Sequence, residues 1–326
     1  MIQCRQLQGA LIPAVPVPFN ARGMLDREAQ ERYARWMAAQ PVAGVAVWAH
    51  TGRGLHLTEE VRDGVLLKWR SLIAPPRLVV AAAGAPSKLA DPGQVMHAAR
   101  GMAHHARGLG ADAVLVHPPS AFRDRLDRDQ LILDYHAAVA EAGLPLILFY
   151  LYEAAGGLRY TDEVLVTLLT QPHVLGIKIA TLDSVMTFQE IANLLTTRAA
   201  DKVLITGEDR FLGYSLMCGA QAALIGMGAA CAALQADLLR SFLAGEADRF
   251  LRLNRAVDEL ARQTFRPPME GYIQRMLWCL VHQGVLPRAA AHDPWGPRLD
   301  AAEFESLGAF LKRLDRETTE GEGSRS

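Results

Sequence analysis

The chain has 326 residues, of which 50% are hydrophobic and 21% charged, a balance that fits a folded protein with a sizeable core. A formal net charge of −1 gives no electrostatic reason to bind nucleic acid or an acidic membrane surface. No run approaches the ~18 consecutive apolar residues a membrane span needs, and Met1–Gly9 lacks a charged-then-apolar export signal, so the cytoplasm is the default expectation.

Short apolar runs alternate with helical patterns along the chain. The candidate strands are Ala10–Val17, Val42–Ala49, Leu78–Ala83, Ala113–Val116, Leu146–Leu151, Val174–Ile179, Val203–Thr206 and Ala222–Gly226. Amphipathic stretches such as Arg27–Gln40, Gln94–Gly108 and Tyr160–Thr170 lie between them. Thr58-Glu59-Glu60 and Thr161-Asp162-Glu163 are helix-start signals, a capping hydroxyl followed by acids, and Gly108-Leu109-Gly110-Ala111-Asp112 reads as a helix stop and turn. The strands are continuously apolar, the signature of a parallel sheet buried on both faces. Eight such units predict an α/β fold, a (β/α)8 TIM barrel, over residues 1–234. A doubly wound open sheet is the competitor, but Pro13–Arg22 offers no glycine-rich nucleotide turn after the first strand. Residues 235–316 read as a C-terminal helical extension packed on the barrel. The polar, Gly/Ser-containing tail 317–326 is expected to be disordered.

Cys4, Cys218, Cys231 and Cys279 have neither CxxC nor metal-ligand spacing and read as buried free thiols in a reducing compartment. His104-His105 has no carboxylate or cysteine partner at ligand spacing, so neither a metal nor a cofactor is expected.

The most informative residue is Lys178. The chain has only five lysines, and Lys68, Lys88, Lys202 and Lys312 have neighbours that suit a solvated surface. Lys178 lies instead inside Val174-Leu175-Gly176-Ile177-Lys178-Ile179-Ala180. An ammonium there must be paired or lose its proton. Arginine would not serve as a neutral nucleophile, because its charge persists. Reactive groups in such barrels lie at the carboxyl ends of strands, which places Lys178, Tyr150 and the loop His50-Thr51-Gly52 near one mouth. An amine beside a phenol and a hydroxyl suits imine chemistry: the amine attacks a carbonyl, the phenol moves protons, and the iminium accepts an electron pair. The backbone amides around Thr51-Gly52 are candidate donors to a substrate carboxylate. His50 points from its loop toward the same mouth as an anion-binding or acid–base group. His117, ending a strand, is a further pocket candidate.

Several of these segments together resemble the dihydrodipicolinate synthase / N-acetylneuraminate lyase family of class I aldolases, over roughly residues 9 to 300. The segments are Pro16-Val17-Pro18-Phe19-Asn20 with Gly23 and Leu25-Asp26, Ala49-His50-Thr51-Gly52 with Leu57 and Glu60, Leu175-Gly176-Ile177-Lys178, Thr206-Gly207-Glu208-Asp209, and Gly219-Ala220 through Ile225-Gly226. The resemblance implies that Lys178 is the Schiff-base lysine, that Tyr150 is the proton-transferring tyrosine at the family's spacing, and that Thr51 is its hydroxyl relay. A shift of one residue would put Phe149 at the tyrosine position instead. Ile225 and Gly226, which end the segment resembling the family's eighth strand, are substrate-binding candidates together with His50 and Gly52. A homo-oligomer, dimer or tetramer, is also implied. The chain departs from the family's pattern at His50, Arg53 and Leu151. Tyr152-Glu153-Ala154-Ala155-Gly156-Gly157 lacks the synthase branch's arginine, and Pro118-Pro119-Ser120-Ala121 replaces its paired tyrosines. The expected activity is therefore a Schiff-base lyase, aldolase or dehydratase acting on a 2-oxo acid such as pyruvate or a sugar-acid-derived substrate, other than dihydrodipicolinate synthesis. The alternative is a catalytically reduced barrel that binds a small molecule or regulates.

Overall fold

Seven strands pair in parallel and in sequence order: β1 (Gly44–Val47), β2 (Leu78–Ala83), β3 (Ala113–Val116), β4 (Leu146–Leu151), β5 (Val174–Ala180), β6 (Val203–Thr206) and β7 (Ala222–Ala223). The structure, a computed structural model, describes residues 3–182 and 184–323. The segment 10–15 closes the sheet into a barrel. Leu11 bridges Ala223 of β7, Ala14 bridges Ala46 of β1, and the Ile12 and Ala14 amides donate to the Ala223 and Ile225 carbonyls. Pro13, Pro16 and Pro18 have no N–H to give, so this eighth member is a set of bridges and not a regular ladder. The (β/α)8 TIM barrel is thus the fold, with helices following.

Helices α1 (Arg27–Ala38), α2 (Glu59–Leu72), α3 (Pro92–Gly108), α4 (Arg128–Ala140), α5 (Asp162–Leu169), α6 (Val185–Arg198), α7 (Leu212–Met217) and α8 (Ala232–Leu243) surround the strands. Their starts follow local chemistry. Asp26, Thr58, Asp91 and Thr161 each accept a hydrogen bond from the third residue beyond, which satisfies an amide the helix itself leaves unpaired. Further helices follow the barrel: α9 (Ala247–Thr264), α10 (Tyr272–His282) and α11 (Ala301–Gly323). Helix α11 continues past residue 317, where order was expected to end; Arg313 pairs with Glu317 one turn on and with Glu259 of α9. The rest of that expected tail, 324–326, lies outside the described residues. Among those described, no helix is long and apolar enough to cross a membrane.

The strands divide the core in two. One cluster lies inside the barrel and draws mainly on the strands and the closing segment, among them Ile12, Val80, Leu115, Ile147, Phe149 and Ile205. The other lies between strands and helices and includes Val47, Val79, Leu148, Tyr150, Ile177 and Ile225 with helix residues such as Tyr33, Trp69 and Phe188. This division decides which strand residues reach the site.

One sequence expectation fails in the core. Lys202, read as a surface lysine, is buried; its ammonium donates to the carbonyls of Gln171 (3.2 Å) and Val174 (3.0 Å) and pairs with Asp201 at 3.4 Å. Carbonyl oxygens at the amino end of β5 replace the water it loses.

Candidate active site

Lys178 emerges near the carboxyl end of β5, in register with Phe149 of β4, and its Nζ sits 4.0 Å from the centre of the Phe149 ring. Burial pushes its ammonium below the ordinary lysine range, while the nearby Asp209 and Glu208 carboxylates pull the other way. Burial likewise raises the carboxyl of Asp209, despite the hydrogen bond it accepts from the Met227 amide (2.7 Å). Glu208 rises to about 7 for the same reason, although Thr181 donates to it from both its amide and its hydroxyl, and Leu182 from its amide. A lysine eased toward its neutral form is what a nucleophilic amine requires. Gly207 makes room for it: a Cβ there would lie 2.5 Å from Lys178 Cε and 2.9 Å from the Ile179 carbonyl oxygen.

Strand alternation corrects the Tyr150 assignment. Tyr150 pairs with Ile179, one step along from Phe149 and Lys178, and so projects to the opposite side of the sheet. It packs in the outer layer, its ring 6.4 Å from that of Tyr160, and is not brought together with Lys178. Phe149 holds the position beside the lysine and carries no hydroxyl. Ile225 fails in the same way, since it belongs to the outer cluster while Leu224 faces the lumen.

The loop after β1 is held in a strained conformation. Trp48 has φ of 59°, rare for a bulky side chain, and its indole N–H donates to the Arg62 carbonyl at 2.9 Å. The turn presents Thr51 and His50 to the mouth. Gly52, expected to offer its amide to substrate, instead donates it to the Ala49 carbonyl at 2.9 Å, and its backbone lies close against Val15. Gly226 lines the pocket with Lys178 and Thr51.

The C-terminal helices supply groups that sequence reasoning missed. Tyr272, at the start of α10, has its hydroxyl 2.9 Å from Thr51 Oγ1 and its ring stacked on Phe265 at 4.5 Å. Burial holds its phenol well above the ordinary tyrosine range. Glu270, two residues earlier, accepts from Tyr152 OH (2.7 Å) and Arg53 Nη1 (2.8 Å), and His50 Nε2 lies 2.9 Å from both its oxygens. Burial alone would raise the Glu270 carboxyl, but hydrogen bonds from His50, Tyr152 and Arg53 hold it down to about 2. Arg53 also pairs with Asp293 at 2.7 Å, so its guanidinium is held between two carboxylates.

Two hollows meet at this point. A small one of about 30 Å³ lies among Lys178, Thr51, Tyr152, Asp209, Gly226 and Tyr272. A chamber of about 620 Å³ shares His50, Phe149 and Leu151 with it and extends past Leu55, Val95 and Leu115 to His56 and His117. Burial pushes both imidazoles down, His117 to about 4, so near neutral pH they are uncharged. His117 lines this chamber, whereas the Glu208 carboxylate is taken up by the donors of Thr181 and Leu182.

A parallel eight-membered barrel with a buried lysine at the carboxyl end of a strand is the architecture of a class I aldolase-type lyase. The chain belongs to the dihydrodipicolinate synthetase family, which it matches over residues 7–313. It is 26% identical to a 4-hydroxy-tetrahydrodipicolinate synthase of Xanthomonas axonopodis pv. citri, over 92% of this chain and 96% of that one. It is 29% identical to a probable mitochondrial 4-hydroxy-2-oxoglutarate aldolase of Emericella nidulans over 52% of this chain, and spans only 55% of that relative's length. Among solved structures, YagE of E. coli K12 in complex with pyruvate superposes with a TM-score of 0.81 at 20% identity, covering 94% of this chain and 98% of that one. At that identity the likeness establishes the fold.

Proposed function

We propose that Lys178 forms an imine with a small 2-oxo acid, pyruvate in the simplest case, and that the protein makes or breaks the carbon–carbon or carbon–oxygen bond beside it. The observation that carries this reading is the placement of Lys178: buried, shifted toward its neutral amine, and facing a hollow that opens into a larger chamber. The amine nitrogen attacks the ketone carbon, and loss of water gives an iminium. Retro-aldol cleavage then sends the bonding pair into the iminium nitrogen; aldol addition and dehydration use the same electron sink. The second carbonyl compound fits the chamber, where Leu55, Val95 and Leu115 meet His56 and His117 and where Arg62 and Lys88 also stand on the wall, a surface suited to an aldehyde bearing hydroxyl groups. Dihydrodipicolinate synthesis is disfavoured, because Tyr152-Glu153-Ala154-Ala155-Gly156-Gly157 after β4 has no arginine and the guanidinium of Arg53 is already held by Glu270 and Asp293.

Sodium borohydride trapping with pyruvate, followed by intact-mass analysis, tests the reading. The expected result is a single adduct on the native protein and none on Lys178→Ala. No adduct with pyruvate or 2-oxobutanoate, under conditions that trap an authentic aldolase, would remove the mechanism; so would an adduct that survives Lys178→Ala.

One observation favours a second reading, a barrel that binds a small molecule without turning it over: Phe149 stands beside the lysine where the family resemblance implies a tyrosine. Thermal stabilisation by 2-oxo acids, with neither trapping nor turnover, would support it.

A further inference from the structure

Imine chemistry needs a group that moves protons beside the amine, and the strand neighbour of Lys178 is a phenylalanine. Tyr150 faces away from the lumen. Two phenols do reach the small hollow, Tyr152 and Tyr272. Their hydrogen bonds set them apart. Tyr152 donates to the Glu270 carboxylate at 2.7 Å; that acceptor is already shared with His50 and Arg53, and returning a proton from it would require protonating a stabilised anion. Tyr272 faces Thr51 at 2.9 Å, hydroxyl to hydroxyl, an arrangement in which either oxygen can be the donor. The direction of that bond can reverse without creating a charge. Both residues are buried, and Gly226 is the reason they fit: a Cβ there would lie 2.9 Å from Tyr272 Cε2 and 3.2 Å from Thr51 Oγ1. The hollow they share with Lys178, about 30 Å³, has room for a water molecule. An oxygen released from, or added to, a carbon attached to Lys178 would occupy such a space.

Resting on the imine reading, we infer that Tyr272 is the catalytic phenol of this protein and that Thr51 is its relay, so that the proton-transfer group comes from α10, the second helix after the barrel, and not from a strand. In the forward step the neutral Lys178 amine attacks the ketone carbon and the carbonyl oxygen takes the Tyr272 proton. The nitrogen then gives up a proton, which returns through the Thr51 hydroxyl to the phenolate, leaving a neutral carbinolamine. A second donation from Tyr272 lets the hydroxyl depart as water while the nitrogen pair forms the C=N bond, giving an iminium and a phenolate. In retro-aldol cleavage the phenolate takes the proton of the substrate's C4 hydroxyl, the C3–C4 bond breaks into the iminium, and an aldehyde and an enamine result. Each proton lent by the phenol is recovered, so no further reactant is needed.

The test is the rate of pyruvate adduct formation with cyanoborohydride, across a range of pyruvate concentrations, for Tyr272→Phe and Tyr152→Phe. Both changes keep the ring and remove only the hydroxyl. Tyr272→Phe is expected to slow the saturating rate ~10²–10⁴-fold, the usual yield of a positioned acid–base group, with half-saturation by pyruvate moved less than about threefold. Tyr152→Phe is expected to slow it less than about tenfold. A Tyr272→Phe rate within threefold of the native protein, or a greater loss in Tyr152→Phe, overturns the assignment while leaving the imine intact. If Tyr272→Phe fails to fold, the Thr51 pair decides: Thr51→Val should be slow and Thr51→Ser close to native, and equal rates for the two overturn the relay. A native protein that forms no adduct at all overturns both the imine and this inference.

Discussion

At the scale of single residues, the state of Lys178 is set by a contest between burial, which favours the neutral amine, and groups that favour the ammonium. Asp209 and Glu208 belong to the second kind, and so does Phe149, whose ring face lies 4.0 Å from Nζ. Only the neutral amine attacks a carbonyl. The adduct-forming rate should therefore rise with pH through the amine's pKa and then level off, with its midpoint below the ~10.4 of an unperturbed lysine. Replacing Phe149 with leucine removes the cation–π attraction, of the order of 0.5–2 kcal/mol, and should lower the midpoint by ~0.4–1.5 pH units at 1.36 kcal/mol per unit. The pH profile of cyanoborohydride trapping with pyruvate measures this. A midpoint that rises in Phe149→Leu, or a flat profile in the native protein, would contradict the account.

At the scale of elements, the site depends on how closely neighbouring strand ends approach. Gly207, just beyond β6, lies where a Cβ would meet both the Lys178 side chain and the rigid Ile179 carbonyl. Gly207→Ala should therefore cost about 1–3 kcal/mol as an overpacked contact and slow adduct formation at least tenfold, read by urea unfolding and by trapping; an alanine variant matching the native protein in both would show the approach to be looser than described. The strands themselves were legible in the sequence because a sheet covered on both faces is written as continuous apolar runs, and Lys178 stood out by interrupting one. The same continuity hid which face each residue takes. In Phe149-Tyr150-Leu151 every side chain suits either face, so the pattern carries no alternation and leaves Tyr150 and Phe149 as alternatives for the position beside the lysine, which Phe149 takes. Glu270 and Tyr272 were hidden for a different reason. The Thr51–Tyr272 bond joins residues 221 positions apart, and the buried Tyr272, Ile273, Met276, Leu277 and Leu280 of α10 read as an ordinary core stripe.

At the scale of the whole molecule, the mouth is built jointly by the barrel loops and the C-terminal chain. Phe19 bridges His292 and packs edge-on to Trp295, His56 stacks on Trp295, and Arg53 holds Asp293 and Glu270. The turn carrying Glu270 and Tyr272 is in turn anchored by Arg275, fully buried on α10. Its guanidinium donates to Glu303 at 2.9 Å and to the carbonyls of Arg266 (2.8 Å) and of Thr264, Pro267 and Pro268 (each 3.3 Å). One cation thus satisfies acceptors from α9, the turn and α11, and removing it leaves a partly buried carboxylate and several carbonyls without their donor. Arg275→Met should cost about 3–5 kcal/mol in denaturant unfolding, the range found when one member of a buried pair is lost. It should also slow pyruvate trapping under conditions where the variant remains folded, because the turn that positions Tyr272 against Thr51 loses its anchor. Glu303→Gln keeps an acceptor for Arg275 and should lose less in both measurements. If Arg275→Met loses stability but traps pyruvate at the native rate, the C-terminal helices act as a brace alone, and the chemistry belongs to the barrel without them.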